Sequence, residues 1–152
     1  MTGKIILVLL IFFLGFVSPA DDPFSGTWVL NLAKSKIPAP VQKSQTANAV
    51  VDELDLEISM EIVNSSGERL VIHTKAKFDG KDYPVTGTPY ADTVAYERVD
   101  RNTIKGIAKK DGKIVQREIL VVSSDGKIMT GTYYIADSTG EQMTATAVFE
   151  KN

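Results

Sequence analysis

Few residues in this 152-residue chain could carry chemistry, and their spacing narrows what they could do. His73 is the sole histidine, and there is no cysteine. A zinc site wants several His or Cys ligands, and a nucleophilic triad needs a base beside its Ser or Cys. His73 lies between Ile72 and Thr74 in an alternating run, which puts it on the outward face with Lys75 and Lys77, across from Ser59. Glu57 and Glu61 share that solvent face, where nothing raises a carboxyl toward the pKa of a general acid. The acidic run Asp52, Glu53, Asp55 and Glu57 is split by the same alternation over two faces, so it forms no calcium cage. No phosphate-cradling glycine loop occurs. The expectation is a protein that is not an enzyme and holds no metal or cofactor.

One pair is better placed. If Asp111-Gly112 is a two-residue turn, Lys105 faces Glu118 outside, and Arg117 goes inward with Val115 and Ile119. Carried across Asp125-Gly126, the same register sets Arg117 opposite Tyr134. A buried arginine beside a tyrosine suits an anionic head group such as a fatty-acid carboxylate. The opposite face also carries Ile107, Ile114, Leu120 and Val122, so both parities remain open.

The elements that would position these residues are strands. Leu54, Leu56, Ile58, Met60 and Ile62 alternate with Asp55, Glu57, Ser59 and Glu61, the period of a strand buried on one side. Alternation resumes at Leu70, Ile72, Thr74, Ala76 and Phe78 after the loop Ser65-Ser66-Gly67. Folding one run on the other sets Ile62 opposite Leu70, Met60 opposite Ile72, Glu57 opposite Lys75 and Asp55 opposite Lys77. Asp79-Gly80 then turns the chain back, with Tyr83 facing Ala76.

A first strand precedes this meander, with Trp28, the only tryptophan, sharing one face with Leu30 and Leu32. Residues 33–49, broken by Pro38 and Pro40, read as a long surface loop. After residues 86–91, a loop by composition, turns at residues 100–102, 111–112, 125–126 and 136–140 separate further alternating runs. Asp-Gly between such runs is a strong hairpin signal, and it occurs three times. The pattern predicts an all-β domain, a single up-and-down antiparallel β-barrel of about 8–10 strands, closed so that no edge is left unpaired. A β-sandwich would need longer crossovers. An outer-membrane barrel is disfavoured by its 8% aromatic content, by a polar C-terminus, and by long loops after the first and fourth strands, at opposite ends of a meander.

Residues 1–20 read as an address. Lys4, an apolar run from Ile5 to Val17 and then Ser18-Pro19-Ala20 describe a signal peptide cut after Ala20, too short to span a membrane. The expected mature domain, residues 21–152, is therefore secreted or periplasmic, with no transmembrane segment after cleavage. A net charge of −2 offers no footprint for nucleic acid. Without cysteines the domain relies on its core rather than on disulfides.

Gly26-Thr27-Trp28 on the first strand resembles the Gly-x-Trp motif that opens lipocalins. Residues 26–36, 78–85, 92–96 and 125–127 are similar to a group of small secreted bacterial lipocalin-like proteins without an assigned biochemical role. The resemblance implies a calycin-type, cup-shaped barrel whose tryptophan closes the narrow end, with the loop of residues 33–49 over the open end. The last strand carries no arginine to stack on Trp28, as better-known lipocalins do. The function expected is an exported binding protein for a small apolar or amphipathic, fatty-acid-like ligand. Trp28, Phe78, Tyr83, Tyr96, Arg117 and Tyr134 are the candidate contacts. The alternative is a solidly packed barrel serving the cell envelope as a structural or protein-interaction module.

Overall fold

The computed structural model describes residues 21–38, 42–136 and 139–152. Residues 1–20, read above as a signal peptide, and Pro40 lie outside the described residues. Ten antiparallel strands close into one up-and-down barrel. They are β1 (Gly26–Leu30), β2 (Ser44–Val51), β3 (Asp55–Val63), β4 (Arg69–Lys77), β5 (Tyr83–Thr86), β6 (Thr93–Asp100), β7 (Thr103–Lys110), β8 (Lys113–Val122), β9 (Ile128–Ala136) and β10 (Gln142–Lys151). Pairing of β1 with β10 completes the ring, so no edge strand is left open.

The central hairpin has the predicted register, with Ile62 opposite Leu70, Glu57 opposite Lys75 and Ser59 opposite His73. Its turn is organised by Asn64, whose Oδ1 accepts from the Glu68 amide at 2.9 Å and the Ser66 hydroxyl at 2.6 Å. The β4–β5 pairs, Thr74 with Val85 and His73 with Thr86, keep the register expected across Asp79-Gly80.

The segment expected to be one long loop contains a strand. Only residues 31–43 connect β1 to β2, with a 3-10 turn at Leu32–Lys34. Ser44–Val51 pairs with β1 and β3, placing Ala47 and Val51 in the core. Its run Thr-Ala-Asn-Ala alternates small with polar side chains, a signal too weak to read as strand. This extra strand exchanges the ends of everything after it. The Asp79-Gly80 turn therefore lies at the end opposite the loop of residues 31–43. The long connections after β1 and β5 fall at the same end, so loop placement does not set this barrel apart from a membrane barrel. Face polarity does: Asp55, Glu57, Glu61, Lys75 and Lys77 stand outside, while Leu56, Ile58, Met60 and Ile62 turn in. A membrane barrel is the reverse.

The end holding both described chain termini is closed. Trp28 is 1% exposed, and its Nε1 donates to the Phe24 carbonyl at 2.8 Å. Phe24, Val51, Leu56, Val122, Met129 and Phe149 surround it. The β1–β10 register sets Lys151 opposite Trp28. Its Nζ lies 4.8 Å from the indole centroid and donates to the carbonyls of Pro23 and Ser25. A lysine thus supplies the last-strand cation on Trp28. Arg98 seals the other side of the floor, 4.6 Å from the Phe78 centroid, 5.7 Å from that of Phe24, and paired with Asp22 at 2.8 Å.

Candidate functional site

Above this floor the barrel is hollow. A cavity of about 610 Å³ runs from Trp28 and Phe149 up to Ile37, Gln42, Thr88 and Tyr90 at the long-loop end. That volume is within the range of small-molecule sites. Small inward residues make the room: Ala47, Thr74, Ala108, Ala145 and Ala147 line the wall where larger side chains would meet in the middle. Thr130 and Thr132, on the other face of β9, pair with Val121 and Ile119 and do not line the cavity. The lining is apolar except for a few groups, and one of these is a carboxyl.

That carboxyl belongs to Glu118, and it stands in a row crossing five strands. Tyr96 of β6 pairs with Gly106 of β7, Gly106 with Glu118 of β8, Glu118 with Tyr133 of β9, and Tyr133 with Ala145 of β10. Gly106 leaves the space for its neighbours. A Cβ there would stand 2.7 Å from Glu118 Oε1 and 2.8 Å from Tyr96 Cε1. Gly131, two residues from Tyr133, does the same for that ring, whose hydroxyl would be 2.6 Å from an added Cβ. Gln116 Nε2 donates to Glu118 Oε2 at 3.1 Å, and the Tyr96 hydroxyl also hydrogen-bonds the carboxyl.

The electrostatics follow from burial. Desolvation raises the Glu118 pKa above the ordinary carboxylate value, and the bonds from Gln116 and Tyr96 only partly oppose it. Burial, then the charge of Glu118, pushes the Tyr96 phenol well above its usual pKa, and Tyr133 is raised by the same two causes. Both tyrosines therefore keep their protons. The cluster offers one acidic group held among neutral partners.

The six expected contacts fall into three places. Trp28 and Tyr96 line the cavity. Phe78 and Tyr83 pack against the core at the closed end, outside the cavity lining, and the Tyr83 hydroxyl donates to Asp79 Oδ2 at 2.9 Å. Arg117 and Tyr134 do pair across β8 and β9 as expected, but on the outer wall, where both are exposed.

The inversion has one cause. Lys110 pairs with Lys113 and Lys109 with Ile114, as a two-residue Asp111-Gly112 turn requires, and Asp111 and Gly112 both have positive φ. Ala108 then pairs with Gln116, so Val115 is an extra residue bulged out of the ladder. A one-residue step exchanges the faces of everything beyond it. Glu118 comes inside opposite Gly106, and Arg117 goes outside opposite Ile107.

Glu118, Gln116 and Tyr133 were thus missed. The available signal was the pair of strand-interior glycines, Gly106 and Gly131, since such positions mark close approach. Among the described residues, no group of three or more His, Cys, Asp or Glu side chains is placed to hold a metal ion. Comparison with known proteins finds no matching family model and no matching curated protein.

Proposed function

We propose that this chain is an exported, lipocalin-like binding protein that carries a small apolar or amphipathic molecule inside its barrel and catalyses no reaction. The observation that carries the reading is the apolar cavity of about 610 Å³ above the Trp28 floor. The open interior weighs against the competing reading, a solidly packed structural barrel. The lipocalin likeness is supported by Gly26-Thr27-Trp28 on the first strand, with the tryptophan buried at the closed end under a cation from the last strand. Export rests on the pattern of residues 4–20 alone. The fatty-acid-like version of the ligand loses its support, because Arg117 and Tyr134 stand outside.

The test uses Trp28, the single tryptophan and part of the cavity floor. Titration with 1-dodecanol below its solubility limit should change Trp28 emission saturably. Ala147→Phe, which fills the wall beside Phe149, should weaken that binding at least tenfold while the variant still unfolds cooperatively. No saturable change, or undiminished binding by a folded Ala147→Phe variant, overturns the reading.

A further inference from the structure

We propose that Glu118 is a head-group site inside the cavity, selecting amphipathic molecules that carry a basic nitrogen over alcohols and over carboxylic acids. The inference rests on the binding function proposed above and adds the ligand's polar chemistry.

Glu118 is the single acid among the described residues lining the cavity, and no lysine, arginine or histidine lines it. Its polar neighbours are neutral donors, the Gln116 amide and the Tyr96 hydroxyl. Tyr133 faces it from β9, and β7 contributes only Gly106. Lys105 and Arg117, the sequence neighbours of Gly106 and Glu118, lie on the outer wall.

A carboxylate taken out of water without a counter-charge is costly. A bound ammonium supplies that charge inside the half-buried cavity wall, and the charge-assisted hydrogen bond it forms is stronger than a neutral one. A fatty-acid anion meets the opposite sign. An alcohol donates a hydrogen bond but brings no charge. The order expected is amine, then alcohol, then acid.

The site is built rather than incidental. Gly106 gives Glu118 and Tyr96 the space to lean together, and Gly131 gives it to Tyr133. One layer deeper, the row Ile104, Leu120, Gly131 and Ala147 is apolar, and toward the mouth Ala108, Gln116 and Ile135 follow. A nitrogen held at Glu118 therefore leaves an alkyl chain in apolar surroundings.

The experiment compares dodecylamine, 1-dodecanol and dodecanoate, all below micelle formation, by Trp28 emission and calorimetry on the purified chain at pH 7.5. The amine should bind roughly tenfold or more tighter than the alcohol, and the acid weakest. Glu118→Gln, which keeps shape, should remove most of the amine's advantage while alcohol affinity stays within about threefold. Glu118→Asp should retain part of it. Amine affinity should also fall as the pH is lowered through the titration of Glu118, while alcohol affinity stays level. Equal binding of the three probes, or an amine preference that survives Glu118→Gln, overturns the head-group site and leaves the cavity reading standing. Failure of all three probes to bind overturns both.

Discussion

Glu118 of β8 stands directly opposite Tyr133 of β9 on the inner wall of the barrel. One residue back along β8, Arg117 stands opposite Tyr134 on the outer wall. Which pair faces the cavity is decided by Val115, the residue bulged out of the β7–β8 ladder. Drawing Val115 into the ladder would turn Arg117 inward in place of Glu118, whereas deleting it would join Ile114 directly to Gln116 and leave Glu118 opposite Gly106. Deletion of Val115 should therefore leave urea unfolding cooperative with Glu118 still inside, and Val115→Ala, which keeps the bulge, should cost only about 1–2 kcal/mol.

Glu118 should also leave a mark on stability. Its pKa is raised in the folded chain above the unfolded value of 4.5. The folded state thus binds the proton more tightly, so the associated stability is fully present below about pH 4.5 and is lost as pH rises through the folded pKa. Glu118→Gln should flatten that fall. At pH 8 the variant should be the more stable by roughly 1 kcal/mol, the scale of one desolvated but hydrogen-bonded polar group, and near pH 4 the two should agree. The check is urea unfolding across pH 4–8.

The glycines beneath the cluster give a steric prediction. Gly131→Ala places a methyl 2.6 Å from the Tyr133 hydroxyl and ring edge. The ring must move, and overpacking of this kind costs about 1–3 kcal/mol. Gly112→Ala, where no atom lies within 4 Å of the added Cβ, tests a different thing, the strain of positive φ. Only Gly131→Ala should alter the near-ultraviolet circular dichroism of the tyrosines.

At the closed end, Lys151 joins β10 to the segment before β1 through the Pro23 and Ser25 carbonyls while lying over Trp28. Lys151→Met keeps the aliphatic stem and removes the charge. It should destabilise the barrel by about 1–3 kcal/mol, the worth of hydrogen bonds from a charged donor, and should shift Trp28 emission. Thermal unfolding monitored by that emission reads both.

The sequence makes parts of this molecule legible and hides others for physical reasons. The central hairpin could be read to the residue because Leu56 to Ile62 alternate cleanly with charged neighbours. Trp28 at a closed end was legible from its place behind Gly26. β2 was not, because Ala47 and Ala49 are too small to announce a buried face and Pro38 coloured the whole segment. The bulge was not, because Val115 differs in nothing from a paired valine. Both strand faces around it carry aliphatics: Ile107 and Ile119 outside, Leu120 and Val122 inside. A single hidden residue therefore exchanged Arg117 for Glu118, and with it a site for anions for one that favours cations.

The most direct measurement is amide chemical-shift mapping of the purified chain titrated with 1-dodecanol and then dodecylamine. The account predicts saturable shifts centred on Tyr96, Ala108, Gln116, Glu118, Tyr133 and Ala147, unchanged by Arg117→Ala or Tyr134→Ala. Shifts confined to the outer wall around Ala95, Ile107, Ile119 and Tyr134, or no saturable shifts at all, would contradict it.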